Sequence, residues 1–382
     1  MNSALGPIRI LDFSRVLAGP LATMVLADLG AEVIKVERPG SGDDTRQWKP
    51  PVDERGRATY FESVNRNKRS VSLDLRNPED AEWARRMASD CDVLVENFRP
   101  GVMERLGFGY DALKAENPGL IYASITAFGD KDGAALPGYD VLVQAAGGLM
   151  SITGDPDGEP QKVGVALVDV VAGLFTAIGI LAALRHRDET GAGQHVKVDL
   201  LSSLLASLVN QASAFTVAGA IPGRMGNAHP SISPYELYPC SGGSQLVLAV
   251  GTDGQFRDLC DCLPEGFVLA ADERFTTNDS RVANRDDLRR TLIQRLETRT
   301  ADEWVQVLSP RGVPAGVVND VDGAFAFAAS LGLEPTIEVP DEEGQMVSLP
   351  RNPINLTGSP ATYRTAPPRL PEHSREDRPG WT

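Results

Sequence analysis

The chain has 382 residues, of which 42% are hydrophobic and 23% charged, and its formal net charge is −15 at pH 7. This composition is typical of a soluble globular protein, and the length exceeds one ordinary core, so we expect two domains or one large domain with an insertion. The negative charge argues against nucleic acid or an anionic membrane as the main partner, but local basic residues still permit a small anionic ligand.

The N-terminus and the cysteines bear on where the protein works. The segment MNSALGPIRIL lacks the basic and apolar regions of a signal peptide. No apolar window reaches a charge-free membrane span with suitable flanks. The cysteines fit a reducing cytoplasm, and Cys260 and Cys262 form a C-x-C pair with no second pair nearby. We therefore expect a cytoplasmic protein without a membrane segment, and half-buried helix cysteines rather than a metal site.

The first third of the chain alternates between short apolar runs and amphipathic stretches. The runs predict strands at 8–13, 32–36, 70–75, 92–98 and 120–128, with helices at 19–30, 77–89 and 110–114 between them. Strands that alternate with helices imply a parallel, doubly wound sheet. The predicted fold class is therefore α/β, with a Rossmann-like parallel sheet.

The residues after the predicted strands are candidates for a ligand site, because such sheets bind ligands at the carboxyl ends of their strands. Val16 follows the first strand, Arg38 the second, and Asn97 and Phe98 end the fourth. Arg38 suits a phosphate, or it is a surface arginine with no ligand. The first turn, FSRVLAGPLA, has no G-x-G-x-x-G motif, so a dehydrogenase is a distant alternative.

A polar connection between two of these units carries the densest basic cluster in the acidic chain. It consists of Arg66, Lys68 and Arg69. We leave two interpretations open: an ordinary solvated face, or a group of cations that holds a polyanionic ligand beside the strand ends.

The stretch 162–184 is almost wholly apolar and is interrupted by one acid, Asp169. Burying a carboxylate costs several kcal/mol unless it is paired, hydrogen-bonded or protonated. Asp169 is therefore either a helix cap or satisfied core acid, or a functional group. The helix is predicted to run to about residue 187, and a second apolar helix at 202–219 suggests extensive contact between domains or subunits.

The composition shifts near Ile221, after which strands at 246–250 and 314–318 are separated by helices. We predict a large domain at 1–220, a small α+β domain at 221–330, and a return segment with a polar tail at 331–382 that packs on the large domain. The end of the tail, from TYRTAPPRLPEHS onward, is rich in proline and polar residues and predicts an extended or mobile segment.

Five stretches resemble the family III CoA-transferases, the superfamily of formyl-CoA transferase, carnitine CoA-transferase and α-methylacyl-CoA racemase. They are ILDFSRVLAGPLATMVLADLGAEVIKVERPGSGDDTR, NRNKRSVSLDL, DVLVENFRPGVMERLGFGY, GYDVLVQAAGGLM and VALVDVVAGLFTAIGILAALRHRDETGAGQ, and the likeness covers nearly the whole chain. The text around DDTRQWKPP and GNAHPSISPYELY is most similar to the dicarboxylate-handling members, such as succinate–hydroxymethylglutarate (glutarate) CoA-transferases.

The resemblance implies an interlocked, ring-like homodimer and a catalytic role for Asp169. In the family, the carboxylate at this position attacks an acyl-CoA thioester, forms an acyl anhydride, and then carries CoA as an aspartyl thioester to the acceptor acid. This is covalent catalysis by a carboxylate. The partners it implies are an acyl-CoA, a carboxylic acid and a second copy of the chain, with CoA as substrate and product. The CoA contacts implied by position are Val16, Leu17, Arg38, Leu73, Asn97, Phe98 and Arg105.

The sequence departs from some relatives in ways that bear on the reaction. Racemase relatives have a His where this chain has Tyr139, so the alternative of an α-methylacyl-CoA racemase lacks one acid/base group. The glycine-rich loop of formyl-CoA transferases is absent, which argues against formate or oxalate. The tail after PPRLPEHS is shorter than in relatives. A CoA-binding protein without enzymatic activity is a third alternative, in which Asp169 is structural.

Tyr139 and several other residues are candidates for the acyl and acid subsites. Arg46 and Trp48 are candidates to meet the distal carboxylate of a dicarboxylate, against the alternative of a loop salt bridge. We expect the backbone N–H groups of Gly147 and Gly148 to stabilise an oxyanion. His229 is either an acid/base or substrate-binding residue or a structural linker residue.

Overall fold

The protein is described by a computed structural model, and the residues described are 3–371 and 378–382. The strands are β1 Arg9–Asp12, β2 Glu32–Glu37, β3 Lys68–Ser72, β4 Val93–Glu96, β5 Ile121–Thr126, β6 His195–Asp199, β7 Tyr235–Pro239, β8 Gln245–Ala249, β9 Ala315–Val317, β10 Thr336–Pro340 and β11 Met346–Pro350. The helices are α1 Ala18–Asp28, α2 Thr59–Glu62, α3 Pro78–Asp90, α4 Val102–Arg105, α5 Tyr110–Glu116, α6 Asp140–Ala146, α7 Leu149–Ile152, α8 Leu167–Thr190, α9 Leu200–Ser207, α10 Val209–Ala218, α11 Asp253–Cys262, α12 Gly266–Ala271, α13 Asn278–Ala283, α14 Arg285–Leu296, α15 Ala301–Leu308 and α16 Val321–Ser330.

The chain divides into two compact units. Of the described residues, the first unit holds 3–149, 162–220 and those from 334 onward, and the second holds 150–161 and 221–333. The sequence-based division placed 150–161 in the large domain, whereas here this short segment bonds with the second unit: the Gly226 N–H donates to the Gly154 carbonyl at 3.0 Å. Part of the predicted polar tail, 372–377, lies outside the described residues.

A six-stranded parallel sheet forms the centre of the first unit, in the order β3-β2-β1-β4-β5-β6. Apolar residues such as Ile10 and Val33 pack on one face against α1 and α8, and Leu11 and Ile34 pack on the other against α3. Strands buried on both faces are near-continuous apolar runs, which is why the sequence predicted them. The order changes direction between β1 and β4, and such switch points are where these sheets bind ligands.

Helix α8 lies against α1 in this core. Gly173 permits the close approach, because a Cβ there would stand 2.6 Å from the Ala18 carbonyl oxygen. The helix has 24 residues and is long and apolar enough by composition to cross a membrane, a property that core helices share. The helix contains Asp169, so it is not the charge-free span that the sequence analysis looked for. The predicted second apolar helix is two helices, α9 and α10, bent by 83°.

Two of the three cations in the basic cluster, Arg66 and Lys68, are buried and paired with acids. Arg66 Nη2 forms an ion pair with Asp28 Oδ2 at 2.6 Å, and Lys68 Nζ lies 3.2 Å from Asp12 Oδ2. Arg69, the third member, pairs with Glu32. Asp28 also accepts from Asn67 and from Asn352 of the return segment, at 2.7 and 3.1 Å. Arg66 and Lys68 therefore neutralise buried acids, and the contacts of Arg66 and Asp28 fix the return segment to the first unit. Both earlier interpretations were wrong for these two residues.

The second unit is built on an antiparallel sheet of three strands, β7-β8-β9. Its core joins Leu246 and Leu248 to α11, α14 and α15, with Trp304 fully buried. Cys260 is buried in this core, and Cys262, at the end of α11, is half-buried. The mixed α/β class is confirmed, with a parallel sheet in one unit and a smaller antiparallel sheet in the other.

Candidate active site

The carboxyl ends of β1, β4 and β5 and the start of α8 surround a cavity of about 230 Å³, which we call the Asp169 cavity. It lies in the first unit, at the switch point of the sheet. The residues that line it are Arg15, Val16, Leu17, Ala18, Asp44, Asn97, Phe98, Arg99, Pro100, Ile125, Thr126, Ala127, Phe128, Gly129, Gly133, Ala134, Leu136, Pro137, Gly138, Tyr139, Asp169 and Leu200.

Asp169 is the third residue of α8, so its carboxylate stands in the first turn of the helix. Burial raises the pKa of this carboxyl to about 7, and the negative charge of Asp140 adds to the rise. The helix N-terminus favours a negative charge, but burial and the neighbouring acid outweigh it here. At neutral pH the group therefore exchanges its proton readily, and its ionised form is more basic, and hence a stronger nucleophile, than an ordinary aspartate.

Asp140 is a site residue that sequence reasoning missed. Its Oδ2 accepts the backbone N–H of Val168 at 2.8 Å and that of Asp169 at 3.2 Å, so it caps α8 from another helix. Gln144, one turn later on α6, donates to Asp140 Oδ1. The acid of the GYD motif was the one available signal for this role. Its hydrogen-bond partners lie 28 and 29 residues away, and no local sequence pattern indicates that pairing.

Four of the residues expected to contact CoA meet at the Asp169 cavity: Val16, Leu17, Asn97 and Phe98. Val16 has a φ of 68°, in the left-handed region that β-branched residues rarely adopt. Its N–H points to the carboxylate of Asp43, 3.2 Å from both oxygens. This contact fixes the backbone of the turn between β1 and α1, which lines the cavity.

A second cavity of about 490 Å³, which we call the Arg38 cavity, adjoins the first. Arg15 and Phe98 line both, so the two cavities share a wall. Arg38 and Leu73 are at this end. The residues that line it are Phe13, Arg15, Val36, Glu37, Arg38, Pro39, Ser41, Leu73, Asp74, Leu75, Arg76, Phe98 and Leu106.

The two cavities suit a long anion with a flat ring. The Arg15 guanidinium lies 4.8 Å over the ring of Phe98. Its Nε is buried with no hydrogen-bond partner among the described residues, so a donor is available to a ligand. Arg38 is half-exposed and pairs with Asp44. Arg105, the remaining predicted CoA contact, is exposed at the end of α4 and lines neither cavity.

Tyr139 lines the Asp169 cavity and is 59% exposed, so its ring is free to meet a ligand. Trp48 does not line that cavity; it packs edge-on against Tyr60, with ring centroids 5.2 Å apart. Burial, and after it the negative charge of Asp169, raise the pKa of Tyr60 to about 12. Tyr60 therefore lies close enough to Asp169 to feel its charge. Tyr60 is a second residue that sequence reasoning missed.

Arg46 does not meet a substrate carboxylate in this structure. Its Nε and Nη2 donate to the two carboxylate oxygens of Glu37 at 2.8 and 2.7 Å, and Nη2 also donates to the Pro368 carbonyl. The guanidinium also stacks on the Phe61 ring at 3.5 Å. The prediction of a substrate role is replaced by the alternative of a salt bridge.

The N–H groups of Gly147 and Gly148 do not form an oxyanion hole. They donate to the Val143 and Ala145 carbonyls at 2.8 and 3.4 Å, as expected at the end of α6. Gly147 is packed against α9, where a Cβ would stand 2.4 Å from Leu204. The helical bonding of these amides therefore contradicts the conjecture.

His229 belongs to the second unit. Its Nδ1 accepts the Ser231 N–H at 3.1 Å, and its ring lies 5.2 Å from that of Tyr235. These contacts suit a structural loop residue. Within 3–371 and 378–382, there is no cluster of three or more His, Cys, Asp or Glu residues that is able to hold a metal ion.

A buried carboxyl with a raised pKa, in a cavity that shares Arg15 and Phe98 with a second cavity, is an arrangement that suits acyl transfer. The CoA-transferase family III profile matches residues 5–374. The chain therefore belongs to CoA-transferase family III, and it is an enzyme with CoA-transferase activity.

The similarity to individual proteins extends over nearly the whole chain. This chain is 41% identical to a succinate–glutarate CoA-transferase of Agrobacterium fabrum, over 97% of this chain and 94% of the relative. It is 40% identical to an acetyl-CoA:oxalate CoA-transferase of Acetobacter aceti, over 95% and 92%. The crystal structure of a CaiB/BaiF family protein from Brucella suis superposes with a TM-score of 0.86 at 42% identity, covering 97% of both chains.

Proposed function

We propose that the protein transfers CoA from an acyl-CoA, such as succinyl-CoA, to a dicarboxylic acid, with Asp169 as the covalent nucleophile. The observation that carries the proposal is the position of Asp169: its carboxyl lines the cavity that adjoins the Arg38 cavity across Arg15 and Phe98. A CoA thioester that places its phosphates near the arginines brings its acyl end toward Asp169.

The reaction balances without a metal or redox step. The ionised Asp169 attacks the thioester carbon, the C–S bond breaks, and CoA thiolate leaves behind an acyl–aspartyl anhydride. The thiolate attacks the aspartyl carbonyl, which releases the donor acid and gives an aspartyl-CoA thioester. The acceptor carboxylate attacks this thioester, the C–S bond breaks, and CoA thiolate leaves behind a new anhydride between the acceptor and Asp169. CoA thiolate then attacks the new acyl carbon and frees Asp169.

The apolar wall of the cavity protects these intermediates. Ile125, Ala127, Phe128 and Leu200 line it beside Asp169. An anhydride hydrolyses in water, so a wall that restricts solvent favours attack by the thiolate over attack by water. The same wall raises the basicity of the carboxylate, as its pKa of about 7 indicates.

The choice of a dicarboxylate rests on the similarity to the Agrobacterium succinate–glutarate enzyme. The similarity to the Acetobacter oxalate enzyme keeps oxalate among the candidates, although this chain lacks a long glycine-rich loop. Arg99, an exposed cation in the cavity wall, is available to a second carboxylate.

CoA exchange between succinyl-CoA and a panel of acids tests the proposal. The panel contains succinate, glutarate, mesaconate, oxalate and formate, and each is run with wild type and with Asp169→Ala. We expect the longer dicarboxylates to be preferred and the variant to be inactive. Undiminished transfer by Asp169→Ala would refute the role of Asp169, and α-proton exchange into a 2-methylacyl-CoA without CoA transfer would favour the racemase alternative.

The proposed homodimer is supported by the outer face of α8. Leu174, Phe175, Ile178 and Leu181 are exposed along it, and Leu205 on α9 adds to the apolar surface. An apolar surface of this extent is expected to be covered, and we propose that a second, interlocked copy of the chain covers it. Light scattering of the purified protein is expected to give the dimer mass, and a monomer mass at micromolar concentration would contradict it.

We also propose a cytoplasmic location, which the four free thiols support. Cell fractionation followed by immunodetection tests this, and recovery in a membrane or secreted fraction would contradict it.

A further inference from the structure

Helix α8 begins without a cap from its own chain neighbour. The residue before it, Ala166, has no side-chain acceptor for the first N–H groups of the helix. Asp140 supplies that acceptor from α6, through Oδ2 to the N–H groups of Val168 and Asp169 at 2.8 and 3.2 Å. Asp140 is 9% exposed, so these bonds are shielded from water. The backbone of the proposed nucleophile is thus held directly by a second carboxylate.

Gln144 fixes that carboxylate in turn. It is 1% exposed, donates through Nε2 to Asp140 Oδ1, and accepts the Val163 N–H through Oε1 at 2.9 Å. The two side chains on α6 therefore hold both the segment that enters α8 and the first turn of α8. Because Asp140 does not line the Asp169 cavity, it acts through the backbone and not on the ligand.

We propose that Asp140, oriented by Gln144, is a positioning residue for CoA transfer: it fixes the backbone from which Asp169 reaches the thioester, and it keeps a second negative charge beside the nucleophile. The inference rests on the proposed role of Asp169. It adds a residue whose substitution alters the chemical step without altering acyl-CoA binding.

The two parts of this role have separate consequences. Loss of the cap lets Asp169 shift, and a displacement of about 1 Å costs on the order of 100-fold in rate. Loss of the charge removes one of the two causes that raise the pKa of Asp169, so the nucleophile ionises at lower pH. The other ionisable groups near Asp169 are unchanged by the substitution: Tyr60 on α2, and Arg15, Asp44, Arg99 and Tyr139 in the cavity wall.

Two variants separate geometry from charge. Asp140→Asn keeps one oxygen for the Val168 and Asp169 N–H groups, but its amide then faces the amide of Gln144. The contact that orients the cap is lost, and the cap is weakened. In Asp140→Asn/Gln144→Glu, the new carboxylate accepts from the Asn amide and from the Val163 N–H. The double variant therefore restores the hydrogen bonds and the net charge, but moves the charge one helical turn from Asp140.

The measurements are kcat and KM for succinyl-CoA across pH, with thermal unfolding to confirm folding. For Asp140→Asn we expect kcat to fall roughly 10- to 100-fold, KM to stay within about threefold because Asp140 makes no ligand contact, and the acid limb of kcat to move to lower pH. The double variant should recover most of the lost kcat while its acid limb stays below that of wild type.

Asp320→Asn is the matched control, because Asp320 caps α16 in the second unit through the Gly323 N–H at 2.8 Å. Its kcat and acid limb should equal those of wild type. Asp169→Ala is run in parallel: if it retains activity, the proposed function fails. If Asp169→Ala is inactive but Asp140→Asn keeps both the kcat and the acid limb of wild type, or the double variant is no better than the single one, the role of Asp140 is refuted and that of Asp169 stands.

Discussion

Replacing Asp169 by Asn is expected to abolish transfer and to stabilise the fold. An unfolded aspartate ionises near its ordinary value of 3.8, whereas burial, with the charge of Asp140, holds the pKa of the folded carboxyl at about 7. Between these two values the folded state binds more protons than the unfolded state, so this group lowers the stability as pH rises from about 4 to about 7. Above pH 7 the cost is constant.

The magnitude follows from the difference of about three pKa units at about 1.4 kcal/mol each, which gives at most about 4 kcal/mol, since the carboxyl faces an open cavity. Asn carries no charge, so the stability gain of Asp169→Asn should be near zero at pH 4 and reach a plateau above pH 7. Urea denaturation of both proteins at several pH values measures it. Asp322→Asn, on the exposed first turn of α16, controls for loss of one charge. A gain that is absent at pH 8, or the same at pH 4 and pH 8, would refute the reasoning.

Three further predictions concern activity and stability. Wild-type kcat should fall as pH drops below about 7, because Asp169 takes up a proton; a flat profile between pH 5 and pH 8 would contradict this. Arg38→Ala should raise the KM for acyl-CoA about tenfold, because one charge-assisted contact is lost, while stability stays unchanged. Arg185→Ala, which removes an exposed side chain near the end of α8, is the control. Asp28→Ala should cost about 3 to 5 kcal/mol of unfolding free energy, because it leaves Arg66 buried without its partner; a denaturation midpoint equal to wild type would contradict it.

The sheet was predictable because its strands are apolar runs between helices. Five of its six strands, β1 to β5, lie within or overlap the predicted strand segments. The expectation of a ligand site at the carboxyl ends of the strands came from general rules for parallel sheets, and the role of Asp169 came from the family resemblance. Local pattern was sufficient in these places because each element is decided mainly by its own residues.

The misassigned residues share a physical cause. Arg66 and Lys68 resembled a ligand site because their partners, Asp28 and Asp12, lie 38 and 56 residues away. Arg46 was left open between a substrate role and a loop salt bridge, and Glu37, nine residues earlier, occupies its guanidinium. Charge alone does not show whether a cation is already paired, since pairing depends on the tertiary fold.

Asp140 illustrates the opposite error. The GYD motif was used only to compare Tyr139 with the histidine of racemase relatives, and its acid was passed over. The capping role needs the contact between α6 and the start of α8, which no local pattern contains. A buried acid at a helix start, followed one turn later by a buried Gln, is a signal worth testing in other sequences of this kind.

The central claim is that CoA is carried covalently on Asp169. The protein is incubated with succinyl-CoA in the absence of an acceptor, reduced with borohydride and digested, and the peptide that contains Asp169 is analysed by mass spectrometry. An aspartyl thioester is reduced to an alcohol, so the account predicts homoserine at position 169 in a substantial fraction of the peptide, dependent on succinyl-CoA. An unmodified Asp169 under conditions in which the enzyme exchanges CoA would contradict the account.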